Sequence, residues 1–165
     1  MLGFLVHFLS LFVLALWVGG GAAISFIVAP VVFERAPSRA LAGDIVGKIL
    51  ERFDTYVLLA GPLALLATVV EMAGTVGATR TLTLKLALLA AMVGLWLYAR
   101  LALTPEIRRV RAELGPALDE VPREDPRRIA FGRLHGFSVL CLLGQLVLGA
   151  FAIALSVMAL SARVG

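Results

Sequence analysis

The sequence predicts an all-α integral membrane protein: a four-helix bundle in a single domain, residues 1–165. Three observations carry that prediction. Hydrophobic residues make up 61% of the chain and charged ones 16%, against roughly 45–50% and about 25% in soluble domains. The apolar excess is gathered into four long blocks. The cations are concentrated between those blocks rather than inside them.

The blocks cover about residues 2–33, 55–76, 81–103 and 129–162. Each matches or exceeds the ~20 residues that cross a hydrocarbon core of ~30 Å. In lipid, helices and closed barrels alone satisfy their own backbone polar groups. Barrel strands alternate and last about 10 residues, so these continuous runs predict helices. The first block could be mistaken for a signal peptide. No Lys or Arg precedes it, and it runs uncharged to Phe33, past the roughly 7–15 residues of a signal core. An uncleaved first helix is expected, with Pro30 near its end.

The connections carry patterns of their own. Ser38 to Arg52 sets Leu41, Ile45, Ile49 and Phe53 at helical spacing among charges. Ile107, Val110, Leu114, Leu118 and Val121 repeat the pattern, broken at Gly115-Pro116. Both segments predict short amphipathic helices at the membrane interface. Thr104-Pro105 either starts a separate helix or kinks a continuous one. Asp125-Pro126 has the form of an N-cap followed by proline at the first helical position. A short link joins the second and third spans between Gly74 and Arg80.

Charge then orients the chain. Of fifteen Lys and Arg, all but Arg80, Lys85 and Arg163 lie on the side of the first and third connections. The positive-inside rule places those connections in the cytoplasm and both termini outside. Arginines in this position serve insertion, and no nucleic-acid partner is expected. The expected partners are the bilayer and either further copies of the chain or a membrane complex.

Each span carries a stripe of small and polar residues. Gly19, Gly20, Gly21 and Ser25 on the first helix and Gly149 on the fourth predict close helix packing. Lone Cys141, inside an apolar block, reads as a small buried side chain. Ionisable residues within spans say more, because a charge at mid-bilayer costs roughly 2.5–3.5 kcal/mol on the insertion scale. Depth along the helices brings His7, Glu71 and Lys85 to one level. They could form a structural ion pair or a proton or cation relay. A second group, Glu34, Arg35, Asp54, Arg100, Arg133 and His135, lies toward the opposite face. It could snorkel to the interface or bind an anionic ligand or lipid headgroup. Gln145 shares an arc with His135 and completes the candidates for a ligand or ion pathway.

Two histidines in a membrane bundle invite haem or copper. By depth, His7 and His135 should lie on the order of 20–30 Å apart, too far to share one metal, though each could serve as a single ligand. No Cys-x-x-Cys, His-x-x-x-His or Glu-x-x-His spacing accompanies them, and no cofactor is predicted. No nucleophile elbow, phosphate loop or paired-carboxylate motif is present either, so the expectation leans away from an enzyme.

The segment from His7 to Leu50 resembles the opening of the bacterial "domain of unknown function 4149" family. The step Trp17-Val18-Gly19-Gly20, with Ala29-Pro30-Val31-Val32-Phe33 and Ala42-Gly43…Gly47, carries the likeness. Arg133, His135, Gly136, Ser138 and Gln145 resemble the family's last helix. The family is related to eukaryotic transmembrane protein 205. More remotely, the arrangement is similar to copper resistance D-type proteins and to haem-binding membrane protoporphyrinogen oxidases. The latter place a His a few residues before a Trp; here His7 precedes Trp17 by ten residues. The resemblance implies a four-helix membrane fold in a bacterial inner membrane and no established activity. Two expectations follow: a small transport or permeation unit or accessory membrane subunit, and, as the alternative, a haem b- or copper-binding redox protein.

Overall fold

In the computed structural model, residues 2–74, 79–115 and 121–164 are described, and no strand occurs among them. The chain forms four rods. The first joins α1 (Leu2–Ala23), a π-helical turn (Ile24–Val28) and α2 (Ala29–Arg35). The second is α3 (Arg39–Ala73). The third joins α4 (Thr79–Tyr98), a second π-helical turn (Ala99–Leu103) and α5 (Thr104–Leu114). The fourth is α6 (Pro126–Val164).

The π-turns have a common cause in sequence. Pro30 and Pro105 lack an N–H, and a proline ring clashes with the carbonyl four residues earlier. In each case the residue just before the proline bonds five residues back: Ala29 N–H to the Ile24 carbonyl, and Thr104 N–H to the Ala99 carbonyl. The wider turn lets each rod pass its proline unbroken. Thr104 Oγ1 also donates to Ala99 O at 2.9 Å.

The two amphipathic segments are helical, but they are not separate interfacial helices. Ser38 caps α3, its Oγ accepting from Leu41 N–H at 3.1 Å, and the helix then runs without interruption into the second span. The other segment, as far as Leu114, is α5, continuous with the third span. Extending a helix is cheaper than nucleating a new one, and neither junction carries a breaker that the backbone does not absorb. Gly115, with φ +71°, ends α5. Leu118, and the link over 75–78, lie outside the described residues.

The start of α6 follows the sequence signal. Asp125 Oδ1 accepts from Arg127 N–H at 2.8 Å, and Asp125 O accepts from Ile129 N–H at 3.0 Å. The carboxyl is lowered to about 2, chiefly by hydrogen bonding from the Arg127 side chain.

The rods pack in sequence order around a ring: α1 against α3, α3 against α4, α4 against α6, and α6 back against α1. Four helices of 33 to 36 residues are apolar enough to cross a membrane. At 1.5 Å per residue each is about 50 Å long, so the ends of the rods project beyond a ~30 Å hydrocarbon core. Mid-rod, a belt of Leu14, Trp17, Ala60, Ala64, Leu89 and Met92 fills the centre. Phe8, Phe12, Leu59, Leu101 and Phe151 point outward, as expected of side chains whose solvent is lipid.

The packing glycines divide. A side chain at Gly149 would collide with Val18 Cγ2 and come within 3.1 Å of Met92 Cε, and one at Gly21 would reach Leu146 Cδ2 at 3.0 Å. Gly20 faces the Phe53 ring. Gly19 departs from expectation: nothing lies within 4 Å of its side-chain direction, because it turns outward while its neighbours turn in.

Candidate functional site

Two polar assemblies lie on opposite sides of the apolar belt. The first is at the end of the bundle that carries the termini. Lys85 and Glu71 have side-chain exposures of 0% each, and His7 of 2%. Lys85 Nζ lies 3.3 Å from both carboxylate oxygens of Glu71 and donates to Ser10 Oγ at 2.9 Å. His7 Nδ1 is 3.4 Å from Glu71 Oε2. Lys85 on α4 therefore reaches across the diagonal of the ring to Ser10 on α1, with Glu71 of α3 bridging it to His7. Among the described residues, His7 Nε2 is a buried atom without a hydrogen-bond partner.

The helical repeat explains this convergence. His7 and Ser10 are three residues apart, so both fall on one face of α1. Glu71 is near the end of α3 and Lys85 near the start of α4, which brings them to one level. A buried charge is tolerated when a partner neutralises it and hydrogen bonds satisfy the rest, and Ser10 supplies one of those bonds.

The second assembly is a cavity of about 370 Å³ at the end that carries the first and third connections. Its floor is apolar, with Phe53, Val57, Trp96 and Leu142, and its rim is charged. Asp54 Oδ1 accepts from Trp96 Nε1 at 2.9 Å, and Arg100 stands 3.7 Å from Asp54 Oδ2. Lys48 pairs with Asp44 at 2.8 Å, and Arg108 pairs with Glu51. Arg111 donates to the Ala40 carbonyl at 2.7 Å. His135 lines the cavity and stacks on Phe131 at 6.1 Å between ring centroids.

The sequence candidates thus separate into groups. His7, Glu71 and Lys85 come together, while Asp54, Arg100, His135 and Gln145 share the cavity. Arg133 joins neither group; it is exposed and lies over the Phe137 ring at 5.9 Å. Glu34 and Arg35 pair with each other at 3.8 Å, well exposed. Gln145 does not line a polar interior shared with Glu71, because the belt intervenes and its Nε2 donates to Cys141 O at 3.3 Å. Ser25, Thr68 and Ser156 likewise donate to carbonyls four residues earlier in their own helices. These three hydroxyls are satisfied within their own helices rather than across the bundle. Among the described residues no group of three or more His, Cys, Asp or Glu could hold a metal ion.

The family model described as "Domain of unknown function (DUF4149)" matches residues 12–115, more than half of the chain. The chain belongs to the DUF4149 family. Neither the curated proteins nor the solved structures gave a match. In this DUF4149 protein the matched region holds Glu71, Lys85 and most of the cavity, including Asp54, Trp96, Arg100 and Arg111. His7, Ser10 and α6 lie outside it. Ser10, Trp96 and Arg111 are among the residues of these assemblies that the sequence alone does not single out. Ser10 was detectable as the neighbour of His7 on one helical face. Arg111 was detectable as one turn beyond Ile107 on a rod that does not end at Pro105.

Proposed function

We propose that this multi-pass membrane protein is a small transport unit whose working element is the buried centre of His7, Ser10, Glu71 and Lys85. The observation that carries the reading is a fully buried Lys85–Glu71 pair with a histidine attached to it. Intramembrane ionisable groups are costly and mark ion or proton pathways by default. The apolar belt argues against a standing pore, so passage would require the rods to move. The π-turns ahead of Pro30 and Pro105 are places where a helix is already loosened. On the positive-inside rule the cavity faces the cytoplasm and the centre lies toward the outside, in the cell's inner membrane.

The test is proton flux into liposomes that carry the purified protein and an internal pH-sensitive dye, driven by an imposed potential. Flux above empty liposomes, lost in Glu71→Gln, supports transport. Flux equal to that of empty liposomes sinks it and leaves the accessory-subunit reading.

A second reading, a haem b- or copper-binding redox protein, is favoured by the partnerless His7 Nε2, since an imidazole nitrogen of that kind is a ligand atom. A Soret band or stoichiometric copper that disappears in His7→Ala would support it. A colourless, metal-free preparation would exclude it.

A further inference from the structure

We infer that the cavity at the connection end is a binding site for an anionic amphiphile, an anionic lipid whose headgroup sits on Arg111 and whose chain lies on the apolar floor. The charge pattern of the rim is the first observation. Lys48, Arg100 and Arg108 each have a carboxylate partner, in Asp44, Asp54 and Glu51. Arg111 is half-buried and faces the same cavity. Its hydrogen bond goes to a neutral carbonyl, and among the described residues no carboxylate lies within ion-pairing distance of it. A guanidinium holds its charge under all ordinary conditions and presents a planar fork suited to phosphate or carboxylate oxygens. The rim therefore carries one cation more than it neutralises.

The second observation is the shape. Phe53, Trp96 and Leu142 line the floor, which a small hydrophilic anion would leave unused. Gly47 also lines the cavity, and nothing lies within 4 Å of its side-chain direction. The space beside it is thus open to a ligand. The third observation is depth. Arg111 and Lys48 lie on the parts of α5 and α3 that extend past the apolar spans. The charged rim is thereby at headgroup level and the floor at the start of the hydrocarbon. Basic pockets between helices at this level recognise anionic lipid headgroups. This site is independent of the ionisable centre at the opposite end, and either assignment can fail without the other.

The probes are dioleoyl phosphatidylglycerol, dioleoyl phosphatidylcholine and inorganic phosphate, titrated separately against the full chain in a neutral detergent. Retention is read by native mass spectrometry. One phosphatidylglycerol per chain is expected, with phosphatidylcholine and phosphate both retained far more weakly. Arg111→Gln should weaken phosphatidylglycerol retention about 10- to 100-fold, the range of a lost charge-assisted bond. Arg111 also ties α5 to the start of α3, so this variant could unfold. Gly47→Leu provides the second arm: its Cβ would meet nothing within 4 Å, its branch would enter the cavity, and it replaces none of the rim charges. It too should abolish retention, with helix content by circular dichroism unchanged. Phosphatidylglycerol bound equally by a folded Gly47→Leu would overturn the proposal. So would equal retention of phosphatidylcholine, or displacement of the lipid by phosphate alone, which would identify a free-anion site.

Discussion

Replacing Glu71 by Gln tests how the buried centre is held together. The substitution keeps the side chain's shape and removes its charge. At 3.3 Å and an effective dielectric of about 20, the attraction being removed is about 5 kcal/mol. Breaking one partner of a buried pair costs roughly 3–5 kcal/mol, because the other charge is left without compensation. Removing both is a different perturbation. In Glu71→Gln/Lys85→Met no buried charge remains, and such replacements are often neutral or stabilising. The expected order of stability is therefore Glu71→Gln well below the parent, with the double variant within about 1 kcal/mol of it or above. Equilibrium unfolding in mixed micelles, followed by helix content, measures this. If Glu71→Gln alone matches the parent, the carboxylate is not what compensates Lys85 and the electrostatic account of the centre is wrong. The same variants separate structure from function. A stable double variant without proton flux would assign the charges to transport, whereas a stable double variant with full flux would reduce them to packing.

The glycine crossings predict a matched pair. Gly149→Ala drives a methyl against Val18 and Met92 and should destabilise by about 1–3 kcal/mol, the usual cost of overpacking. Gly19→Ala meets open space and should be neutral or slightly stabilising, because alanine favours helix by about 1 kcal/mol; equal effects from the two would refute the packing assignment. The cap of α6 predicts a pH effect. The Asp125 carboxyl is lowered from 3.8 to about 2 in the folded chain, so its contribution is complete above the unfolded value and is lost as pH falls through about 2. The Arg127 amide resonance should titrate with a midpoint near 2, and a midpoint near 3.8 would show that the cap does not form.

Much of the bundle could be read before its structure, because lipid imposes few choices. A run of some twenty apolar residues has to be helical, and depth along a helix follows from counting. Counting was enough to bring His7, Glu71 and Lys85 to one level. It was not enough for Arg133 and His135, which are equally deep but two residues apart. Two residues on a helix subtend about 200°, so one side chain faces the cavity and the other the outside. Depth without angle grouped them wrongly. The polar stripes misled for another reason. A serine or threonine facing inward reads as a path, but its hydroxyl can be spent on the carbonyl four residues back, as at Thr68 and Ser156. Arg111 escaped notice because Pro105 suggested a break, and a π-turn absorbed the proline.

The separation of the two polar ends also bears on how they could act together. The belt between them is packed, so water cannot link them in this arrangement, and any coupling must run through the rods. α4 is placed to carry it. Lys85, Met92 and Trp96 recur at seven and then four residues, which keeps them along one face. Lys85 joins the ionisable centre, Met92 is seated in the core beside Gly149, and Trp96 holds Asp54 at the cavity. A shift or rotation of this rod would disturb both ends at once. On the proposed function, a rod that touches the ionisable centre at one end and the cavity at the other is the element through which the two would be coupled.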